Sequence, residues 1–461
     1  MSIVPQDAEN EREISNTVDR FFKSFHVGKL LFRCGAGKQK GIPVMTIYRY
    51  LIMLMFDQKS MYMQLHTGSF KENFSKNTAY RFLLDARINW NRFTALLSAR
   101  IIQNRIRPLT SDKRVEVFIA DDSLYDRSRA NKVELLARVF DHCSYRYRKG
   151  FRFLTFGWSD GSTFLPINSC LLSSGKESNR YQEQKECDRR SLAYKRRNLA
   201  QQKTNDVLIQ MIEDARKAGH TAQYMLFDSW FAAPVTIQKI KTMGLDTIAM
   251  VKKSSKVKYD FNGNNLDVKE IYSRNKKRRG RSKYLLSVDV KLGKEDPIPA
   301  KLVYVRNRSN KKDWLAMICT DTSLSEEEII RIYGRRWDIE VFFKTCKSYL
   351  KLAKECHSLS YDAMCAHTAI VMVRYMILAI EKRTNTDYRS LGEIFYFMYD
   401  EADDITFDSS LQILLDALYC AIIEVFHPTE AQMQQFTEAF INSLPEYMRK
   451  AFEVSEVEQA S

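Results

Sequence analysis

The stretch "VEVFIADDS" at residues 115–123 marks the point where the hydrophobic period of this chain changes. Before it, from residue 10 to about 110, apolar residues recur at helical spacing, as in "PVMTIYRYLIMLMFDQKS". Within it, an apolar run rich in β-branched and aromatic residues stops at two aspartates, which predicts a short strand ending at Asp121 and Asp122. Downstream, "FRFLTFGWSDGSTFLPINSCLLSS" (151–174) holds two apolar strands joined by Asp160-Gly161, a strong hairpin signal. "NDVLIQMIEDARKAGH" (205–220) is an amphipathic helix with Gly219 near its end. "AQYMLFDSW" (222–230) is a further buried strand, stopping at Asp228. A helix beginning at Pro234 and the strand "LDTIAMVKK" (245–253) complete the series.

This order, an antiparallel hairpin set followed by parallel strands added through helices, is what a mixed α/β, ribonuclease-H-like core requires. In such a core the first strand lies beside the fourth. Asp121 and Asp228, distant in sequence, then become neighbours and form a candidate metal site. Residues 254–325 interrupt the core with alternating stretches such as "AKLVYVRNR" and the basic run "SRNKKRRGRSK" (273–283). They predict a β-rich insertion with a basic loop. A helix follows, with Ser325 as its cap and glutamates in its first turn. The expected division is a helical DNA-binding region at 1–112, core at 113–253, insertion at 254–325, a Glu-bearing helix at 326–355 and a helical C-terminal region at 356–461. In the last, "LQILLDALYCAIIEVF" is the most regular piece, and "YDEADDITFD" (399–408) reads as a loop.

Composition narrows the function classes. The 461 residues are 45% hydrophobic and 12% aromatic, which describes a globular chain. Lys plus Arg number 72 against 56 acidic residues, a net charge of +16 that favours a polyanion partner. The N-terminal stretch is acidic and polar, unlike a secretory signal. The most apolar run, "HTAIVMVRYMILAI" (367–380), is too short to span a bilayer and contains Arg374. Nucleic acid is therefore the expected partner, with no membrane, and the expected location is cytoplasmic. Nine scattered cysteines without a C-x-x-C fit a reducing compartment. Cys356, His357, Cys365 and His367 lack paired zinc spacing and read as core packing. No phosphate-binding glycine loop occurs.

Residues 333–347, "YGRRWDIEVFFKTCK", read as one short helix carrying Tyr333, Arg336, Glu340 and Lys347 on a narrow stripe. An ordinary face of i,i+4 ion pairs has the same look. Together, however, Asp121, Asp228 and Glu340 offer three hard oxygen donors suited to Mg²⁺, with Mn²⁺ as a substitute. Paired ions of this kind serve phosphodiester displacement. Arg336 and Lys347 would grip phosphates, and Tyr333 could donate to a phosphate or stack beside a base.

The spacing Tyr333-x2-Arg336-x3-Glu340-x6-Lys347 resembles the Y-R-E-K signature of bacterial DDE transposases of insertion-sequence family four. "IADDS" is similar to that family's first-aspartate motif, D-x-[ST], which favours Asp121 over Asp122 as ligand. "FDSWF" is similar to the second, with Asp228 as ligand and Trp230 where a small residue is more usual. The resemblance covers about 115–350. It implies a transposase that binds terminal inverted repeats, cuts DNA ends with Mg²⁺ and joins them to a target. It also implies a β-insertion before the Glu helix, and aromatic stacking of a flipped base, for which Trp314 and Trp337 are candidates. A nuclease with the same core but without strand transfer, and a non-catalytic regulator derived from a transposase, are the alternatives. Sequence-specific recognition is expected before residue 110, where Ser75 would cap a helix carrying Lys76, Asn77, Thr78 and Arg81 in the manner of a helix-turn-helix. Two ends must be held at once, so a homodimer on DNA is expected, formed through the C-terminal helices.

Overall fold

Four strands from the middle of the chain set the architecture: β1 (Val117–Asp126), β2 (Ala137–Asp141), β3 (Arg146–Ser159) and β4 (Phe164–Leu172). The computed structural model describes residues 17–384 except 38–39, 57–60, 69, 112–113, 142–143, 279–281, 294–295, 308–309 and 311–312, together with positions 429, 432, 435, 436 and 439. The helices and acidic loop expected beyond residue 384, and the dimer contact assigned to them, lie outside these residues.

β3 is 14 residues long and antiparallel to β1 along one edge. Its other edge takes β2 first and β4 afterwards. On the far side of β1 come β5 (Tyr224–Phe227) and β6 (Asp246–Met250), both parallel. The order β4-β3-β1-β5-β6 is compatible with a ribonuclease-H-like core. The Asp160-Gly161 hairpin is present: Gly161 takes φ +84°, and Asp160 Oδ1 accepts from the amides of Ser162 and Thr163 at 2.9 and 2.8 Å.

Two expectations change. First, β1 does not stop at the aspartates but runs on to Asp126, because β3 continues to pair with it as far as Gly150. Second, the segment after residue 254 continues the core sheet. β7 (Tyr259–Phe261), β8 (Asn264–Leu266), β9 (Leu286–Leu292), β10 (Ile298–Arg306) and β11 (Trp314–Cys319) extend it to 11 strands, with β11 antiparallel to β6. Without β11, β6 would present an unpaired backbone edge. The strand β2 also escaped the sequence reading. It is only five residues long, too short for its alternation of buried and exposed residues to stand out.

Helices flank the sheet. Val27–Arg33, Val44–Met53, Met61–His66, Lys76–Leu83 and Trp90–Ile101 (α1–α5) precede it. Leu192–Ala200, Thr204–Lys217 and Pro234–Thr242 (α6–α8) follow β4, and Val268–Arg274 (α9) lies within the extension. Glu326–Tyr333 and Trp337–Ser348 (α10, α11) come next, then Tyr361–Thr384 (α12). α10 begins with a capping box in which Ser325 Oγ accepts from the Glu328 amide.

α12 is longer than the sequence reading allowed. Its 361–383 segment is long and apolar enough to cross a membrane by length and composition, yet its sides are buried within the protein. At its centre Arg374 is fully buried and donates to the carbonyls of Leu51 and Ile52 in the last turn of α2, while pairing with Glu355 at 2.6 Å. The terminal carbonyls of a helix lack intrahelical partners and carry its negative dipole end, so a cation is suited to this place. Cys356, His357, Cys365 and His367 do not gather. Cys356 and His367 are buried, His357 is exposed, and His367 Nδ1 lies 3.8 Å from Glu355.

Candidate active site

Burial and pairing divide the two aspartates of β1. Alternate residues of a strand face opposite sides of the sheet. Asp121 points toward α11 and is 8% exposed. Asp122 instead forms an ion pair with Arg152 of β3, and Arg152 also donates to Thr204 at 3.0 Å. The side of Asp121 is where α10 and α11 bring the remaining charges.

The expected single helix over 333–347 is two helices joined by a 3₁₀ turn, Gly334–Arg336. That turn is docked at both ends. Arg335 donates to the Val115 carbonyl just before β1, and Ser159 Oγ donates to Asp338 Oδ2 at 2.6 Å. Arg336 is thereby placed between two carboxylates: its Nη1 is 2.6 Å from Asp121 Oδ2 and 3.3 Å from Glu340 Oε1. Lys347, in the last turn of α11, donates to Ser123 Oγ on β1 at 2.6 Å.

Asp228 follows directly on β5, and its Oδ1 accepts from the Trp230 amide at 2.8 Å. Its charge reaches the others. Burial holds the Asp121 carboxyl well above the ordinary range, Arg336 opposes this, and the charges of Asp228, Glu340 and Asp122 add to the rise. Tyr333 is pushed up to about 12, chiefly by burial, so its phenol stays protonated and able to donate. The structure thus brings Arg336 into direct contact with Asp121 and Glu340, with Tyr333 and Asp228 within electrostatic reach and Lys347 of α11 bonded to Ser123, two positions along β1 from Asp121.

Three carboxylates without nitrogen or sulfur donors suit a hard divalent cation. Among the described residues no three His, Cys, Asp or Glu side chains converge closely enough to enclose an ion. The positive charge between Asp121 and Glu340 is the Arg336 guanidinium. The donor chemistry fits a hard divalent ion, and Arg336 bridges two of the three carboxylates.

The other expected residues lie elsewhere. Lys76, Asn77 and Arg81 are exposed on α4, whose Ala79 and Phe82 are buried, and Thr78 is half-buried. Residues 67–75 separate α3 from α4, a longer connection than the three- or four-residue turn of a helix-turn-helix. Ser75 stands at the N-cap position without a side-chain bond to the helix amides. Trp314 packs against Tyr272 and Tyr304, with ring centroids 4.7 and 5.2 Å away, whereas Trp337 is 66% exposed. Sequence reasoning noted Trp230 only for its size. It is 48% exposed, with the Lys252 ammonium 4.1 Å from its ring centroid. The arginines at the β2–β3 turn were also missed, although "YRYRK" (145–149) alternates aromatic and basic residues as an exposed ribbon would.

No curated protein matches this chain. A family model described as DDE superfamily endonuclease matches residues 39–306, which include Asp121 and Asp228 and end before Arg336 and Glu340. That match spans more than half of the sequence, and the chain belongs to the DDE superfamily endonuclease family.

Proposed function

We propose that this protein is a cut-and-paste DNA transposase that binds the terminal inverted repeats of its own element, cleaves the DNA ends and transfers them to a target. The observation that carries this reading is the meeting of Asp121 with Arg336 and Glu340, under the field of Asp228, in a DDE superfamily endonuclease. Asp121, Asp228 and Glu340 would hold Mg²⁺ or Mn²⁺. Bound there, such an ion supplies Lewis-acid stabilisation to phosphodiester displacement. Arg336 presents a planar fork to phosphate oxygens, and Lys347 adds a point charge beside Ser123. Tyr333 offers a hydroxyl donor at the same place, and Trp337 an exposed face for a base.

Catalytic groups of this kind act on any duplex, because phosphates carry no sequence information. End recognition is therefore assigned to the exposed face of α4, through Lys76, Asn77 and Arg81. Synapsis of two ends is assigned to a homodimer on DNA.

The test uses full-length protein with Mg²⁺ and a plasmid carrying the element's flanking repeats. End cleavage and joining are followed on gels and end binding by mobility shift. Wild-type protein should cut and join, while Glu340→Ala should bind ends and do neither. Cleavage without joining would reduce the protein to a nuclease, and an active Glu340→Ala variant would sink the assignment.

A further inference from the structure

β1 pairs with β5 only as far as Ile119, whereas its pairing with β3 runs on to Asp126. Among the described residues, one edge of β1 over 120–126 therefore has no strand beside it. A cavity of about 900 Å³ is lined by Leu124 and Asp126 of β1, by residues 127–130, by Asp141 of β2 and Arg148 of β3, and by Lys347 with residues 352–354 and 357–359. Lys347 links it to the carboxylates, since the same side chain reaches Ser123.

The far wall is the β2–β3 arm. Between residues 138 and 149 the sequence holds four Lys or Arg and one acidic residue. The register places Arg146 opposite Asp141 and Arg148 opposite Val139, on one face of the ribbon. Arg138, Phe140, Tyr147 and Lys149 share the other face. Arg148 is balanced by Asp126 and Asp141 at 3.5 and 3.2 Å. Arg129, Arg146 and Lys354 are exposed.

The opposite wall is firmly held. Arg127 donates to the carbonyls of Ala353 and Cys356. Lys351 and Ala353 both take φ 60°, a conformation that non-glycine residues keep only when their surroundings hold them. A fixed basic channel leading away from a phosphodiester site is complementary to a polyanion of constant geometry.

We propose that this cleft carries the backbone of the duplex DNA flanking the scissile phosphate, with Arg129, Lys354 and Arg146 as phosphate contacts. The inference rests on the nuclease reading of the Asp121 site. Strand geometry sets its reach. Thr155 pairs with Asp121, and Arg146 precedes Thr155 by nine residues on the same strand. At about 3.3 Å per residue the arm extends about 30 Å from the carboxylates. That is about nine base pairs of duplex at roughly 3.4 Å each.

The experiment uses full-length protein and labelled duplexes bearing the cleavage position mapped with wild-type enzyme, the flank being shortened stepwise. Wild-type affinity should fall tenfold or more once the flank is shorter than about nine base pairs. The Arg129→Ala/Arg146→Ala/Lys354→Ala variant should bind long duplexes at least tenfold more weakly and should not sense flank length. Its slope of log K against log salt should be smaller by about three units, and that of Arg146→Ala alone by about one. Unchanged melting temperatures would show that both variants fold, and the single variant decides the matter if the triple does not. If wild-type protein neither binds nor cleaves duplex DNA, the functional reading fails and takes this inference with it. If wild-type protein cleaves while both variants keep its slope and flank dependence, this inference alone is overturned. It is equally overturned if those properties are lost instead in Arg138→Ala/Tyr147→Ala, on the other face of the arm.

Discussion

Arg336 Nη1 lies 2.6 Å from Asp121 Oδ2, although 215 positions separate the two residues in the chain. One guanidinium also reaches Glu340 at 3.3 Å, so it offsets two carboxylates that would otherwise repel each other.

Removing Arg336 should therefore expose the cluster's need for a cation. Arg336→Ala should melt below wild type without Mg²⁺, and added Mg²⁺ should narrow the gap, because an ion that binds only the folded state stabilises it. Differential scanning fluorimetry with and without Mg²⁺ measures this. The Asp121→Asn/Arg336→Ala protein should lose most of the Mg²⁺ response. An equal response in both proteins would mean that the ion binds elsewhere.

The two aspartates of β1 should separate cleanly. Asp121→Asn should lower cleavage more than about a hundredfold while leaving end binding largely intact. Asp122→Asn, which weakens the ion pair with Arg152 on the other face of β1, should stay within a few-fold of wild type. Cleavage rates on one end duplex decide it, and the reverse ranking would move the site to the other face of β1.

Arg374 offers a stability test remote from the site. Arg374→Ala strands the Glu355 carboxylate and frees the last carbonyls of α2 in a buried place, which should cost about 3–5 kcal/mol in urea unfolding. Arg374→Met/Glu355→Leu should recover part of that loss, since no lone charge remains. A loss within error of zero would mean that α12 docks through apolar packing alone.

Acid should weaken the fold through two histidines. Burial pulls His220 and His367 each from 6.5 to about 4. His220 Nε2 faces the Ala95 carbonyl at 2.9 Å, tying the end of α7 to α5. The unfolded chain takes up these protons near pH 6.5 and the folded chain only near 4. Their contribution is whole above about 6.5, declines as pH falls through that window, and changes no further below about 4. At pH 5 the loss is about 2 kcal/mol per imidazole. The raised Asp121 carboxyl gains stability over the same window and offsets part of this loss. Urea midpoints at neutral pH and at pH 5 are therefore compared in the Asp121→Asn background, where His220→Gln should shrink the difference by its share.

What the sequence by itself determined is local. The helical period before residue 110, the Asp160-Gly161 turn, the Ser325 capping box and the strands ending near Asp228 and Met250 are set by contacts within a few residues. Such contacts leave a periodic trace in the chain. The tertiary structure decided what depends on partners far away. β1 outruns its aspartates because β3 is there to pair with it, and the strands of the β-rich 254–325 segment join the core sheet because β11 pairs with the open edge of β6. The choice of Asp121 over Asp122 as the partner of Arg336 follows from which face of β1 meets α11. Neighbouring strand residues point to opposite faces, and only the assembled sheet has a covered side.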